Sequence, residues 1–145
     1  MFDKSIKFVV YGEPKSKLRA KVRVNRKTGA VFMYTPETTR DYEESFAGQS
    51  LKCKPEKLIT GPILMCIKVY RSIPKSMPKK NRELALTGLI RPIQKPDLDN
   101  FCKAAMDALR GIYWIDDCQV VEYMAETGKY YSDTPRVEVE VKYDN

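Results

Sequence analysis

Apolar and polar residues follow one another along this chain with two spacings, one typical of strands and one of helices. Short apolar or alternating segments predict strands at residues 6–11, 63–70, 119–131 and 137–143. In the last of these, apolar residues occupy one face and charged residues the other. Valines and aromatic residues on both sides of a glycine-containing turn predict a two-stranded ribbon over residues 22–34.

Helical spacing is clearest over residues 97–110. Its apolar residues recur at intervals of three and four and form one face: Phe101, Ala104, Ala105, Ala108 and Leu109. Asp97 or Asp99 can cap its beginning, and Gly111 follows its end.

A second helix is predicted from Thr35, as N-cap, to about Lys54, with Tyr42, Phe46 and Leu51 as its apolar residues among polar ones. A short helix is predicted over residues 79–86. The segments together predict an α+β fold. We expect a single domain, residues 1–145, in which a mixed β-sheet is packed with two main helices.

Composition excludes several kinds of chemistry. The 145 residues include no histidine, which rules out Ser-His-Asp triads, Cys-His dyads and zinc sites that use histidine. The four cysteines are scattered and include no C-x-x-C pair. No segment has the length and apolarity of a membrane span or a signal peptide, so we expect a cytoplasmic protein with no membrane partner. Catalysis would have to use carboxylates, lysines, arginines, hydroxyls or a hard metal ion.

Charge is unevenly distributed. The formal net charge is +7, and residues 15–27 and 71–82 contain many basic residues and no acidic ones. Basic runs of this kind favour a polyanion such as DNA, although a solvated surface explains them equally well. From charge alone, the expected contacts with the DNA backbone are Lys15, Lys17, Arg19, Lys21, Arg23, Lys75, Lys79 and Lys80.

Aspartates cluster around the predicted helix at residues 97–110. Asp97 and Asp99 lie two residues apart at its beginning, Lys103 lies one turn beyond Asp99, and Asp116 and Asp117 follow the helix. Carboxylates from separate loops are the ligands that Mg²⁺ requires, and the ion could activate water for attack on a phosphate. Alternatively, the aspartates are helix caps and turn residues, and Lys103 is either a solvated helix lysine or a partner of Asp99 four residues away.

The order of these residues is similar to that of a known family. Residues 95–120 read KPDLDNFCKAAMDALRGIYWIDDCQV and resemble the central motif of the RusA family of Holliday junction resolvases. That motif is K-P-D-x-D-N-x-x-K, a helix rich in alanine and aspartate, and a D-D-x-Q corner. The likeness extends over nearly the whole chain, through Gly12-Glu13-Pro14 with Lys17 and Arg19, Tyr34-Thr35-Pro36 with Tyr42-Glu43, and the closing strand at 135–141.

The resemblance implies an endonuclease that cuts four-way DNA junctions with Mg²⁺ or Mn²⁺ as a homodimer. Asp97, Asp99 and Asp117 would ligate the metal, with Asp116 as their close companion. Lys103 would be the family's essential lysine, which stabilises negative charge on the phosphate. A two-fold symmetric dimer suits a two-fold symmetric junction, because it provides two sites for paired nicks in recombination and repair.

Two other functions fit the sequence. A basic nucleic-acid-binding module without catalysis would bind DNA independently of metal and leave it uncut. An Mg²⁺-dependent phosphotransfer enzyme acting on a nucleotide is less favoured, because the chain has no Walker-type glycine loop.

Overall fold

The computed structural model describes residues 1–16, 21–34 and 37–144. In these ranges the strands are β1 (Lys4–Tyr11), β2 (Lys21–Val24), β3 (Val31–Tyr34), β4 (Ile63–Ser72), β5 (Val120–Tyr123), β6 (Gly128–Ser132) and β7 (Arg136–Tyr143). The α-helices are α1 (Glu37–Ser50), α2 (Lys79–Leu86) and α3 (Leu98–Leu109). Single turns of 3₁₀-helix occupy Leu51–Cys53 and Asp117–Gln119. The prediction of an α+β fold with a mixed sheet is confirmed.

The main sheet is mixed, as predicted. Strand β7 lies between β1 and β4 and is antiparallel to both, whereas β5 and β6 run parallel to β4. A parallel pair requires a long connection, and the chain between β4 and β5 contains α2 and α3. This connection brings the beginning of α3 to the edge of the sheet that β5 and β6 form.

One predicted strand is interrupted. The apolar pattern over residues 119–131 predicts a single strand, but β5 and β6 pair with successive parts of β4 and are separated by residues 124–127. At the break the Thr127 hydroxyl accepts a hydrogen bond from the Ile67 backbone N–H at 3.2 Å, so a side chain takes the place of a strand carbonyl. The prediction of a continuous strand is therefore wrong.

The ribbon of β2 and β3 forms a separate two-stranded sheet, as predicted. Its apolar side chains stay largely exposed: Val22, Val24, Val31, Phe32 and Met33. The predicted N-cap of α1, Thr35, lies outside the described residues. The helix itself ends at Ser50, and the predicted extension to about Lys54 is instead a 3₁₀ turn in which Leu51 is exposed.

The core lies between the sheet and the helices α1 and α3. Strand β7 alternates buried and half-buried residues, as its sequence predicts. The buried residues of β1, β4 and β7 pack with Phe46 of α1 and with Phe101, Ala105 and Leu109 of α3. Burial of this apolar face fixes α3 against the sheet, because apolar burial is the main stabilising contribution to folding. Among the described residues, no helix is long and apolar enough to cross a membrane.

Candidate active site

Asp97 and Asp99 lie at the beginning of α3. Asp97 occupies the N-cap position with extended backbone, and its carbonyl accepts the N–H groups of Asn100 and Phe101 at 3.2 and 3.4 Å. Its side chain makes no capping hydrogen bond, and both aspartates are exposed. Asp97 therefore occupies the predicted N-cap position, but its side chain does not make the capping hydrogen bond. Both carboxylates therefore stand at a helix N-terminus without being used to close it.

The segment before Asp97 is held by two cations that extend from the sheet. Lys129 Nζ donates to the carbonyls of Gln94 and Pro96 at 3.0 and 3.1 Å. Arg71 Nη1 donates to the carbonyl of Lys95 at 3.1 Å. Three successive carbonyls are thus fixed by β4 and β6, and the peptide bond between Lys95 and Pro96 is cis.

The corner after α3 is built around Gln119. Its side-chain oxygen accepts the backbone N–H groups of Ile115 and Asp116, both at 3.0 Å. Its amide nitrogen donates to the carbonyls of Ile59 and Gly61, just before β4. Asp116 caps the 3₁₀ turn by accepting the N–H of Cys118. The Asp-Asp-Cys-Gln corner is therefore anchored to the sheet, and in this structure Asp116 acts as a cap.

Asp117 points from this corner toward α3. Its Oδ1 accepts a hydrogen bond from the indole Nε1 of Trp114, which is fully buried, at 2.9 Å. Its Oδ2 is buried and receives no hydrogen bond from any group in the described ranges. Lys103 Nζ lies 3.9 Å from that oxygen, within ion-pair distance but too far for a hydrogen bond. A buried carboxylate oxygen without a donor is costly unless a cation compensates it.

Lys103 joins the helix to the corner. Its Nζ lies 3.3 Å from Asp107, one turn further along α3, and 3.9 Å from Asp117. The alternative that pairs Lys103 with Asp99 is wrong, because the side chain extends toward Asp107 and Asp117 instead. Its side chain keeps 56% of its accessible surface, so the ammonium can meet a ligand from solvent.

Tyr123, at the end of β5, is affected by the charge of both groups of carboxylates. Burial raises the pKa of its hydroxyl, and the charges of nearby Cys102, Asp117 and Asp99 raise it further. Burial likewise raises the pKa of the Cys102 thiol to about 11, with a contribution from Asp99. Asp99 and Asp117 thus both act electrostatically on this tyrosine.

The donor set suits a hard divalent cation. Carboxylates at the start of α3 and at the corner are the oxygen ligands that Mg²⁺ and Mn²⁺ prefer. The buried Oδ2 of Asp117, to which no group in the described part of the chain donates, is the atom that a cation would satisfy. The carboxylates do not yet converge, since the described part of the chain contains no group of three or more His, Cys, Asp or Glu side chains arranged to hold an ion.

Comparison with known proteins shows the family to which the chain belongs. The family model described as endodeoxyribonuclease RusA matches residues 11–142, from the end of β1 almost to the end of β7. The chain belongs to the RusA family of endodeoxyribonucleases. It is also 42% identical over 139 residues to a protein of Bacillus subtilis (strain 168), named as uncharacterized protein YqaN. That similarity covers 94% of this chain and 95% of the relative.

The basic segments of this RusA-family chain contain one arginine that holds a loop and several basic residues that are exposed to solvent. Arg82 donates to the carbonyls of Pro74, Lys75 and Met77, and thereby holds the loop before α2. Of the predicted DNA contacts, Lys15, Arg23, Lys75, Lys79 and Lys80 are exposed. Lys21 lies on β2, and Lys17 and Arg19 lie outside the described residues.

Several residues around the site were not singled out from the sequence. Trp114 donates a hydrogen bond to Asp117, and the pKa of Tyr123 is raised by the charges of Asp99 and Asp117. Arg71 and Lys129 hold the segment before Asp97. Gln119 was part of the D-D-x-Q pattern but had no role assigned. Its side-chain bonds to both sides of the corner supply that role.

Proposed function

We propose that this chain is a divalent-metal-dependent endodeoxyribonuclease that resolves four-way DNA junctions by paired nicks, in recombination and repair. The observation that carries the proposal is Asp117, whose buried Oδ2 receives no hydrogen bond from the described residues and lies 3.9 Å from Lys103 Nζ within a RusA-family fold. A structural aspartate in a turn would be expected to satisfy both oxygens.

The proposed metal ligands are Asp97, Asp99 and Asp117, with Asp116 beside them as the cap of the corner. When bound, Mg²⁺ or Mn²⁺ supplies Lewis-acid polarisation of the scissile phosphate and a water of lowered pKa. Hydrolysis adds one water molecule across a P–O bond and leaves a phosphate on one strand end and a hydroxyl on the other. With no histidine in the chain, no imidazole can serve as a general base.

The chain's own residues orient the reacting groups. Trp114 fixes one oxygen of Asp117 and so turns the other toward the helix. Lys103 holds a positive charge beside that oxygen, where it can stabilise the negative charge that builds on the phosphate. Asp107, whose Oδ1 is 3.3 Å from Lys103 Nζ, limits where that ammonium lies.

We further propose that the chain acts as a homodimer on junction DNA in the cytoplasm. A four-way junction has two-fold symmetry, and a C₂ dimer provides two sites related by the same operation. The net charge of +7 supports a DNA partner, because basic proteins are attracted to the phosphate backbone.

The test compares wild type with Asp99→Asn on a labelled synthetic four-way junction in Mg²⁺. We expect the variant to bind the junction at least as tightly as wild type and to lose cleavage, because it loses a metal ligand and also some repulsion toward phosphate. Asp144→Asn, which changes an aspartate at the far end of β7, is the control and should cut normally. Binding by wild type without cleavage in either Mg²⁺ or Mn²⁺ would instead favour a non-catalytic DNA-binding module.

A further inference from the structure

The ribbon of β2 and β3 carries an exposed apolar face. Val22 is paired with Met33 and Val24 with Val31, and because alternate residues of a strand share a face, these four side chains lie on the same side. Each of the four residues keeps between 59% and 69% of its accessible surface. Four neighbouring apolar residues that are exposed in this way indicate a surface that binds a partner.

The turn of the ribbon is held by local hydrogen bonds. The backbone N–H of Asn25 donates to the Ala30 carbonyl at 2.8 Å, and the Asn25 carbonyl accepts the N–H of Gly29 at 2.7 Å. The Asn25 side chain also accepts the N–H groups of Lys27 and Thr28. Gly29 has a φ of 73°, a left-handed conformation that glycine adopts without strain. The apolar face is therefore presented by a defined turn and two paired strands.

The ribbon lacks the support that a small sheet needs. A two-stranded sheet is marginally stable in water unless a third strand or a helix packs on it. In the described ranges, β2 and β3 hydrogen-bond to each other and to no other strand. Burial of the apolar face against a partner would supply the missing stabilisation.

The ribbon begins and ends beside the candidate active site. Ser16 before it and Thr38 after it line one cavity together with Pro96, the residue that precedes Asp97. Tyr34, the last residue of β3, is four residues from Thr38, and four residues span at most about 14 Å. A molecule bound at the carboxylates therefore lies close enough for the ribbon to contact it as well.

Charge indicates the class of that partner. Residues 21–34 include four basic residues and no acidic one, and Arg26 and Lys27 at the turn are exposed. Two ribbons packed through their apolar faces would bring these like charges together, which is unfavourable. DNA phosphates would neutralise them, so the ribbon fits DNA better than a second copy of the chain.

The apolar face restricts which part of the DNA it can contact. An intact duplex presents mainly phosphates and sugars to an approaching protein, whereas base faces become accessible where stacking is interrupted. Proteins that present apolar side chains to DNA place them at such interrupted base steps. In a four-way junction, stacking can be interrupted at the branch point, where the four arms meet.

We propose that the apolar face of the ribbon contacts the base pairs that flank the branch point of a four-way junction, while the basic turn contacts a nearby phosphate. The proposal rests on the proposed function. It makes the ribbon the part of the protein that distinguishes a junction from a duplex, a task that the carboxylates and Lys103 do not perform.

Val24→Thr/Val31→Thr tests the proposal, with binding to a junction and to a duplex measured in EDTA so that cleavage does not interfere. Threonine favours strands as valine does and replaces one methyl group by a hydroxyl, so the Tm should stay that of wild type. We expect junction affinity to fall by about tenfold and duplex affinity by less than about twofold, because two methyl groups no longer leave water on binding. Leu51→Thr/Leu58→Thr, at two exposed leucines outside the ribbon, is the control and should change neither affinity.

A second variant separates the loss of apolar contact from damage to the ribbon. Val24→Ile/Val31→Ile enlarges the apolar face and should bind the junction at least as tightly as wild type. The fluorescence of 2-aminopurine placed beside the branch point should rise when wild type binds, because the base unstacks, and should rise less with the threonine variant. Unchanged junction affinity of the threonine variant, or equal losses on junction and duplex, would overturn the proposal.

Two other results would assign the ribbon to a different partner and also overturn the proposal. One is a threonine variant that sediments as a monomer where wild type is a dimer, which would make the ribbon a contact between copies. The other is binding of wild type, and not of the variant, to anionic lipid vesicles while junction selectivity is unchanged. All of these measurements are made without metal. Failure of wild type to cut a junction that it binds would therefore count against the proposed function alone, and the binding data would still decide the role of the ribbon.

Discussion

At the scale of single residues, the two adjacent aspartates of the corner have different tasks. Asp116 accepts a backbone hydrogen bond and caps a 3₁₀ turn, whereas Asp117 bonds to a buried indole and directs its other oxygen toward Lys103. A cap contributes about 1 kcal/mol to stability. The oxygen that faces Lys103 receives no hydrogen bond from the described residues and has only the ion pair with Lys103, so we expect its main role to be chemical.

This difference predicts opposite outcomes for the two substitutions. Asp117→Asn should abolish junction cleavage while leaving junction binding intact, because it removes the charge that a cation requires. Asp116→Asn keeps a capping oxygen and should retain most cleavage and most thermal stability. Single-turnover cleavage and Tm, measured for both variants, check the assignment. An inactive Asp116→Asn beside an active Asp117→Asn would reverse it.

Lys103 provides a second prediction at this scale. As a helix lysine paired with Asp107, it contributes only a few tenths of a kcal/mol to stability. As a charge beside the reacting phosphate, it contributes about 2.7–4 kcal/mol to the transition state. Lys103→Ala should therefore keep its Tm and lose cleavage by roughly a hundred- to a thousandfold. Lys103→Arg should restore only part of the lost cleavage rate, since a planar guanidinium group replaces a compact ammonium group.

The matched control is Lys52→Ala, at an exposed lysine on the 3₁₀ turn after α1. A cleavage rate of Lys103→Ala within about threefold of wild type, a difference under 1 kcal/mol, would make Lys103 an ordinary surface lysine. Asp107 is not a neutral control for this site, because it contacts the Lys103 ammonium.

The proposed metal ligands could be picked out from the sequence, whereas the residues that contact and orient them could not. The aspartates and Lys103 follow one another in a recognisable order, which spacing alone can reveal. The contacts of Lys103 with Asp117 and of Trp114 with Asp117 depend on how the corner folds back on α3. The hydrogen bonds of Gln119 to the chain before β4 span about 60 residues, and no local pattern signals them.

At the scale of secondary-structure elements, the start of α3 is held from the sheet. Lys129 of β6 and Arg71 of β4 bond to the three carbonyls that precede Asp97. Both cations bond to backbone carbonyls, and neither contacts the side chain of Asp97 or Asp99. Their effect on Asp97 and Asp99 is through backbone position, and small displacements of reacting groups reduce rates strongly.

Lys129→Met should therefore lower the cleavage rate by up to about a hundredfold while changing junction affinity little. Methionine keeps the apolar stem and removes the donor to Gln94 and Pro96. Lys142→Met, at a half-buried lysine of β7 whose ion pair is with Glu140, is the matched control and should cut normally. A positioning role also predicts that the rate at saturating DNA falls more than the affinity. Equal losses in both would indicate that Lys129 contacts DNA itself.

Helices were predicted more accurately than the edge of the sheet. The boundaries of α3 agree with the predicted residues 97–110 to within one residue, because its apolar face and Gly111, which follows its end, are local features of the sequence. The edge strand was predicted as continuous because apolar residues persist through 119–131. Its interruption depends on the Thr127 hydroxyl replacing a strand carbonyl, a contact with β4 that spacing does not encode.

At the scale of the whole molecule, the basic excess predicts a measurable dependence of binding on salt. If the exposed lysines Lys15, Lys75, Lys79 and Lys80 contact phosphates, affinity should fall linearly with salt on logarithmic axes. Each lysine-to-alanine change at a true contact should flatten the slope by about 0.9. Fluorescence anisotropy over a salt series measures this. Slopes that stay unchanged across all four variants would place DNA on another face.

The central claim is that the carboxylates at the start of α3 and at the Asp116–Asp117 corner form a metal-dependent junction nuclease. The most direct measurement maps the cuts in a four-way junction whose strands are labelled one at a time, with Mg²⁺ titrated from zero. We predict no cleavage in EDTA and, with Mg²⁺, nicks at symmetry-related positions in two opposing strands. Cleavage that persists in EDTA, or nicks spread evenly over duplex arms, would contradict the account.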